Sequence, residues 1–550
     1  MSRFRIVIFT SMPPAAVRHF LRRLDADLPE AEVSGILYET ARPPLPLGRR
    51  LGRVKKHLRD PDFIRFAAHK TAERFRRTGE RALSRLLHAA HATRPNGAAN
   101  PPDEFAAECE ARGVAFRLTG DIHDEASLAF VASLGADLGV IYGTRILKPQ
   151  LFTLPRLGSV NIHKHKVPDY RGSGAPGLWE LRDGRSEQAV TVHRVTKDVD
   201  AGAVLCERSF PIQPLDTLAS IGVKADLVGI ECLIEAIRAE AEGRPSETPQ
   251  PQEGKVYKGF QPHQIYAVER EISRKRQAFR PARGRGLPKL AARSLAYPAL
   301  YLKNRRRARE KSFPVVILYH HLIADRECLL GMPTENFLRQ VRFLKEHYRV
   351  ASLPEALAML ERGEVEEPTV VLTFDDGYAE NFLGLRAVAE SEDVPVTFFV
   401  CTTHVTERTG FQHDIERGEH GFPAHDWDEV RYLDRHNVTI GSHTRTHFDC
   451  GDAADEARLR DEIAGSLEDL RRELGHDVPY FAFPKGYPHN MSQPARAIAA
   501  ETYPYVFSAC GGVNYAPLKP GSILKRVSLP QSLFELELAL QPVLDFEQHE

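Results

Sequence analysis

Long apolar runs are missing from this chain. Nowhere among its 550 residues do apolar side chains extend over the roughly 20 positions that a bilayer crossing needs. Near the start, Arg3 and Arg5 precede only Ile6–Phe9 before the polar Thr10 and Ser11, too short a run for a secretory leader. Cysteine is sparse: seven residues, an odd number, with no Cys-x-x-Cys spacing, which argues against a disulfide framework and against a structural zinc site. These absences predict a protein of a reducing cytoplasm. Net charge is absent too, with 74 basic and 74 acidic residues, and no nucleic-acid-binding module is recognisable. No internal repeat is visible, which excludes a repeat architecture.

What is present is length enough for two or three domains. From the start, strands at Phe4–Thr10 and Val33–Tyr38 enclose a helix at Ala15–Leu24. Helix Asp103–Arg112, strand Ala115–Leu118, helix Glu125–Leu134 and strand Leu138–Tyr142 follow. That alternation predicts an α/β domain: an open, mostly parallel sheet with helices on both faces. Residues 45–92 are rich in Arg, His and Ala at helical spacing and read as a basic helical insertion. Its solvated face is the plain reading, and docking to a phosphorylated ligand or anionic membrane is the other. Gly243–Glu253 has the Pro/Ser/Glu/Gln composition of a solvated linker. Lys255–Arg270 regains aromatic patterning and reads as a short extension of the first domain. Arg274–Lys311 holds fourteen Lys/Arg and a single Glu. It reads as a tether, with peripheral contact to an anionic membrane through 274–311 as the alternative. The predicted domains are 1–245, a connecting region 246–311, and 312–545.

Chemistry gathers at four stretches. The first is Thr369-Val-Val-Leu-Thr-Phe-Asp-Asp-Gly377, a buried strand ending in two carboxylates and a turn glycine. Asp375 and Asp376 thus fall at the carboxyl end of a strand, where α/β folds place their ligands. A turn there lets one aspartate bind a metal while the other handles a proton. The second is Gly441-Ser-His-Thr-Arg-Thr-His447, where His443 and His447 stand one helical turn apart and can project from one face. Two imidazoles and a carboxylate form a ligand set for a divalent metal, zinc or another transition ion rather than calcium. Third, Gly158-Ser-Val-Asn-Ile-His163 puts Asn161 and His163 two apart on one strand, hence on one face. An amide donor beside an imidazole suits the oxygen that turns negative when an amine attacks an acyl carbon. Fourth, Lys197-Asp-Val-Asp-Ala-Gly202 closes strand Val190–Val195 with Asp200, placed to orient that imidazole or receive the amine proton.

Two resemblances follow from these motifs. Thr373–Gly377, Ser442–His447 and Phe481-Ala-Phe-Pro-Lys-Gly486 resemble, in order, the motifs of the polysaccharide deacetylase (NodB-type carbohydrate esterase) family, over about Phe313 to Leu540. The resemblance implies a distorted (β/α) barrel that hydrolyses N-acyl groups from amino sugars with a metal. Asp375 would be the general base, Asp376, His443 and His447 the metal ligands, and Pro484 and Gly486 a wall of the groove. One departure stands out: the late Leu-x-His of many members has no histidine at Ile523–Pro530. His489 is then a candidate acid, and Tyr319–His321 are expected to line the same cleft.

Leu157–His163, Val167-Pro-Asp-Tyr-Arg-Gly172, Val199–Leu205 and Tyr142–Leu147 resemble the formyltransferase family, well from Leu138 to Val204. On that pattern Asn161, His163 and Asp200 are the catalytic trio. The donor would be 10-formyltetrahydrofolate, near Tyr142, Gly143 and Asp198. Lys164–Val167 and Ser11–Pro14 depart from the family pattern. Together the resemblances imply N-deacetylation of an amino sugar or nucleotide sugar followed by N-formylation of the freed amine. The alternatives are a deformylase, or a silent carbohydrate-binding module, in the second half.

Overall fold

The computed structural model describes residues 3–40, 60–72, 101–251, 253–258, 262–277, 302–328, 330–419, 421–451, 455–531 and 533–540. It divides into two compact units, the first containing residues 1–78 and 95–278, the second 79–94 and 279–550.

The first unit is built on a seven-stranded sheet. From edge to edge the strands are Ala115–Thr119, Ala31–Glu39, Phe4–Thr10, Leu138–Tyr142, Ser159–His163, Glu187–Arg194 and Val204–Pro211. The first five pair in parallel and the last two join antiparallel. Successive side chains of a strand face opposite ways, and Phe4–Thr10 shows the consequence. Ile6 and Ile8 enter a core with Val17, Phe20 and Leu24 of helix Pro14–Asp27 and Ile230, Leu233 and Ile237 of helix Leu218–Ala241. Val7 and Phe9 enter the opposite core, with Val131 and Leu134 of helix Glu125–Leu134. Helices therefore cover both faces, and apolar runs without alternation become legible as strands buried on two sides.

The described residues of Gly243–Glu253 are mostly exposed, in keeping with their composition, but the stretch is fastened to this unit. Thr248 bridges Val204, Glu247 pairs with Arg194, and Gln250 Nε2 donates to the carbonyls of Asp200 (3.1 Å) and Gly202 (2.6 Å). Among its described residues only Gln250 turns its side chain onto backbone groups of this unit. Val256–Tyr257 then pairs with Arg171–Gly172. Of the basic 45–92 segment only 60–72 lies within the described residues. Residues 61–72 form a helix whose Phe63 and Phe66 meet His263 and Tyr266 of helix Pro262–Gln277. Residues 278–301 of the basic tether lie outside the described residues. No described helix is long and apolar enough to cross a membrane.

In the second unit the parallel strands run in the order Ile523–Leu524, Tyr505–Phe507, Tyr480–Ala482, Val438–Ser442, Val396–Val400, Thr369–Phe374, Val315–His320 and Arg526–Ser528. The first and last belong to one segment, interrupted only at Lys525, so a single segment pairs at both edges. One core cluster joins Val315, Ile317 and Val371 to Phe399, Tyr480, Ala482, Phe507 and Leu524. At about 4.8 Å between neighbours, a flat sheet would hold its outer strands about 30 Å apart. Strands curled into a ring bring these side chains together, as a distorted barrel requires.

Candidate active sites

In the second unit the strand Thr369–Phe374 delivers both carboxylates. Asp375 donates its N–H to the His320 carbonyl (2.9 Å), and the chain then turns through Asp376 (φ +76°) and Gly377 (φ +101°). A left-handed aspartate followed by glycine breaks strand alternation, so consecutive carboxyls reach one cavity. That cavity, of about 430 Å3, is lined by Asp375, Asp376, His447, Tyr319, His321 and Arg526 among others.

Asp376 is fully buried, and neither of its oxygens has a hydrogen-bond partner among the described residues. His443 Nε2 and His447 Nε2 stand 3.4 and 3.3 Å from Asp376 Oδ1. His443 Nδ1 lies 2.7 Å from the Ala482 carbonyl. A carbonyl only accepts, so that nitrogen carries the proton and Nε2 turns its lone pair towards Asp376. Ligand atoms of the three residues lie within 4.8 Å of one another. An orphaned carboxylate beside the Nε2 atoms of two imidazoles, that of His443 with its lone pair turned inward, is a donor set that fits a transition ion such as zinc. Burial opposes ionisation of Asp376, but the imidazoles of His447 and His443 hold its carboxyl well below the usual range.

The helical turn expected between His443 and His447 does not form. The stretch is a loop in which Thr444 (φ +65°) and His447 (φ +57°) are left-handed. Glu462, fully buried on helix Glu456–Leu474, imposes this shape. It accepts the N–H groups of Arg445 (3.1 Å) and Thr446 (2.9 Å) and the Thr446 hydroxyl (2.7 Å). The tertiary contact displaces the helical pairing that spacing alone predicts.

Asp375 is held by Arg526 in a two-pronged pair of 2.6 and 2.8 Å, with the arginine fully buried. Burial opposes ionisation, but the guanidinium beside it keeps the Asp375 carboxyl below the ordinary range. Arg526 stands in the late segment where a histidine is wanting, and spacing gave no hint of its partner. His413 is a second residue that sequence reasoning missed. Its Nε2 lies 3.9 Å from Asp376 Oδ2 and 2.9 Å from the Tyr378 hydroxyl, which also donates to Asp414 (2.7 Å). Tyr319, His321 and His489 line the cavity, whereas His320 is buried with its Nε2 donating to the Leu322 carbonyl. The wall after strand Tyr480–Ala482 is made by Phe483, Lys485 and Tyr487. Pro484 and Gly486 are buried under it, forming the tight turn that presents those side chains.

In the first unit Asn161 and His163 do leave their strand towards one place. His163 Nε2 donates to the Tyr170 carbonyl (2.7 Å), which leaves Nδ1 as the basic nitrogen, 3.5 Å from Asp200 Oδ2. Asp200 sits in a left-handed turn (φ +49°) and also accepts the Gly172 N–H at 2.8 Å. Asn161 Nδ2 is 3.5 Å from Asp200 Oδ1 and 3.2 Å from His193 Nε2. His193 lies directly across the antiparallel pairing from Asn161. Only that register, which local pattern does not encode, brings it into the cluster. Burial pushes the His163 imidazole down to about 4 against the pull of Asp200. Burial also resists ionisation of Asp200, yet His193, His163 and the Gly172 N–H bring its carboxyl down to about 2. Of the donor-site residues, Gly143 (φ +66°) holds the loop after Leu138–Tyr142, and its carbonyl takes the Ser11 N–H. Asp198 is exposed on the turn before Asp200, while the Tyr142 ring is buried against Phe20.

Two family models match the chain: "Formyl transferase" over residues 92–237 and "Polysaccharide deacetylase" over residues 362–503. This chain joins a formyltransferase domain to a polysaccharide deacetylase domain. The formyltransferase match spans Asn161, His163, His193 and Asp200. The deacetylase match spans both aspartates and both histidines and stops short of Arg526. Among curated proteins the chain is similar to methionyl-tRNA formyltransferase of Phenylobacterium zucineum, 30% identical over 187 residues, 32% of this chain and 60% of that protein. The enzyme of the same name from a Cyanothece species is 33% identical over 129 residues, 23% and 38% of the two chains. The chain thus spans at most 60% of the length of these relatives. Among solved structures, a Streptococcus pyogenes deacetylase in complex with acetate is 18% identical, covering 42% of this chain and 98% of that one, at a TM-score of 0.35. Glycinamide ribonucleotide transformylase 1 from Symbiobacterium toebii is 17% identical, covering 46% and 95%, at a TM-score of 0.30.

Proposed function

We propose that the chain is a bifunctional enzyme of amino-sugar metabolism, which removes an N-acetyl group in its deacetylase domain and places formyl on the freed amine in its formyltransferase domain. The observation that carries the reading is the pairing of two convergent clusters in one chain: Asp376 with His443 and His447, and His163 with Asn161 and Asp200. Asp376, His443 and His447 would hold a divalent ion, zinc by their donor set, which when bound would supply Lewis acidity towards water and the acyl carbonyl. Asp375 is the base of that site, kept ionised and aimed by Arg526. His321, His413 and His489 border the cavity from which a proton reaches the departing amine. In the other domain 10-formyltetrahydrofolate supplies the formyl group. His163, uncharged at neutral pH, takes the amine proton at Nδ1, and Asp200 stabilises the imidazolium. Covalent linkage keeps the deprotected amine at raised effective concentration for the second step.

The test supplies N-acetylated amino sugars and nucleotide sugars, zinc and formyl donor to the full chain and follows product mass. Acetyl loss blocked by Asp376→Ala and formyl gain blocked by His163→Ala support the reading; products indifferent to both variants overturn it. One observation favours a second reading. Arg526 occupies both oxygens of Asp375, which suits a domain that binds the sugar without turning it over. Retention of an N-acetyl sugar by the zinc-loaded chain with no acetate released selects it.

A further inference from the structure

Among the described residues, the carboxylates and basic side chains on the wall of the deacetylase cavity are matched by counter-charges or imidazoles, with one exception. Asp375 is held by Arg526, Asp376 faces the imidazoles of His443 and His447, and Lys485 Nζ lies 2.8 Å from Asp449 Oδ2. Arg417 is the exception. It lines the cavity and is exposed, and among the described residues its guanidinium has no hydrogen-bond or ion-pair partner. Its acidic neighbours in sequence are engaged elsewhere. Glu416 Oε1 accepts from Gln412 Nε2 (3.2 Å), and the Glu419 carboxylate stands by the Cys328 thiol.

The backbone that carries Arg417 is tied to the catalytic turn. Tyr378, the residue after Asp375–Gly377, donates its hydroxyl to the buried Asp414 (2.7 Å). The Asp414 carbonyl takes the N–H groups of Arg417 (3.0 Å) and Glu419 (2.9 Å) and so closes the short helix Gln412–Glu416. The same turn that presents Asp376 therefore brings an unspent guanidinium to the wall of its cavity. On the loop after strand Tyr480–Ala482, Tyr487 is 48% exposed and lies parallel to His489, the rings 5.9 Å apart and 3° from coplanar. Such rings give a sugar an apolar surface to rest on.

We propose that Arg417 reads a phosphate group on the amino sugar, so that this site takes N-acetylated sugar phosphates, as free monoesters or as esters of a carrier. The proposal rests on the deacetylase reading of Asp375, Asp376, His443 and His447, and names its substrate class. A guanidinium offers a planar fork of N–H donors that two phosphate oxygens take at once. Phosphate keeps a negative charge at neutral pH whether or not a carrier is attached. A neutral glycan gives the fork only hydroxyls, and the charge of Arg417 then stays unanswered.

The experiment follows acetate release by the full chain from N-acetylglucosamine, its anomeric phosphate, its uridine diphosphate ester and neutral diacetylchitobiose. At least one phosphorylated sugar should exceed the neutral ones in kcat/KM by about tenfold, as one charge-assisted pair at an exposed site allows. The faster of the two phosphorylated sugars tells a free phosphosugar from a nucleotide-linked one. In Arg417→Gln the ratio of phosphorylated to neutral sugar should fall towards unity, and Arg417→Lys, which keeps the charge without the fork, should hold part of it. Neutral sugars turned over as well as both phosphorylated ones overturn the proposal. So does a ratio that Arg417→Gln leaves unchanged.

Calorimetry of the anomeric phosphate against the chelated parent and Arg417→Gln reads the same contact without turnover. Binding elsewhere in the chain is common to both proteins and drops out of the comparison. Absence of acetate from every substrate therefore sinks the deacetylase reading. Arg417 is then decided by affinity alone: an about tenfold loss in the variant supports the proposal, and equal affinity overturns it.

Discussion

Replacing Arg526 by methionine tests the reasoning about the deacetylase cavity most directly. The guanidinium is fully buried and meets both Asp375 oxygens, at 2.6 and 2.8 Å, and also donates to the Ser508 carbonyl at 3.1 Å. Methionine fills much of the space but leaves the carboxylate, 3% exposed, without its partner charge. Removal of one partner of a buried ion pair costs about 3–5 kcal/mol. For a domain of this size that is a fall of about 6–20 °C in melting temperature. The sign of the pH dependence follows from Asp375. In the parent its folded pKa is depressed, so its stabilisation is full above the unfolded value, about 4, and is lost as pH falls through the lower folded value. In the variant burial is opposed only by the imidazoles of His443 and His321, the folded pKa rises, and the cost is relieved when the carboxyl protonates. The gap between the two proteins is therefore widest near neutral pH and narrows on acidification. Thermal unfolding by circular dichroism, with chelator present so that metal plays no part, measures it at about pH 7.5 and about pH 4.5. A deficit below about 1 kcal/mol at the higher pH, or one of equal size at both, refutes the account.

Four further outcomes follow from the geometry of the two sites. Asp376→Asn withdraws the carboxylate that faces the two imidazoles, so the rise in melting temperature on adding zinc should disappear; calorimetry with and without zinc checks it. Glu462→Leu removes the acceptor of the Arg445 and Thr446 N–H groups that shape the histidine loop, and zinc affinity by competition with a chromogenic chelator should fall about 10-fold or more. Formyl transfer should hold steady at neutral pH and decline as pH falls through about 4, where His163 gains its proton. His163→Ala should lower that rate by about 100-fold or more in a radiolabelled formyl assay.

Much of this molecule is legible in one dimension. Phe4–Thr10, Leu138–Tyr142 and Thr369–Phe374 are strands because unbroken apolar, largely β-branched runs bounded by polar or turn residues can be satisfied by a sheet buried on both faces. Asp375–Asp376–Gly377, the histidines four apart, and Asn161 with His163 two apart mark their sites through chemistry and local spacing. The folded chain decided what spacing could not. His443 and His447 converge through a loop with two left-handed residues, not through a helical turn, because the buried Glu462 carboxylate takes the N–H groups of Arg445 and Thr446 between them. Arg526 reaches Asp375 across 151 residues, His193 meets Asn161 through an antiparallel register, and Gln250 leaves a polar stretch to bind the Asp200 turn. Each of these is a hydrogen bond or charge pair between distant segments, and short-range periodicity carries no record of which buried donor will find which acceptor.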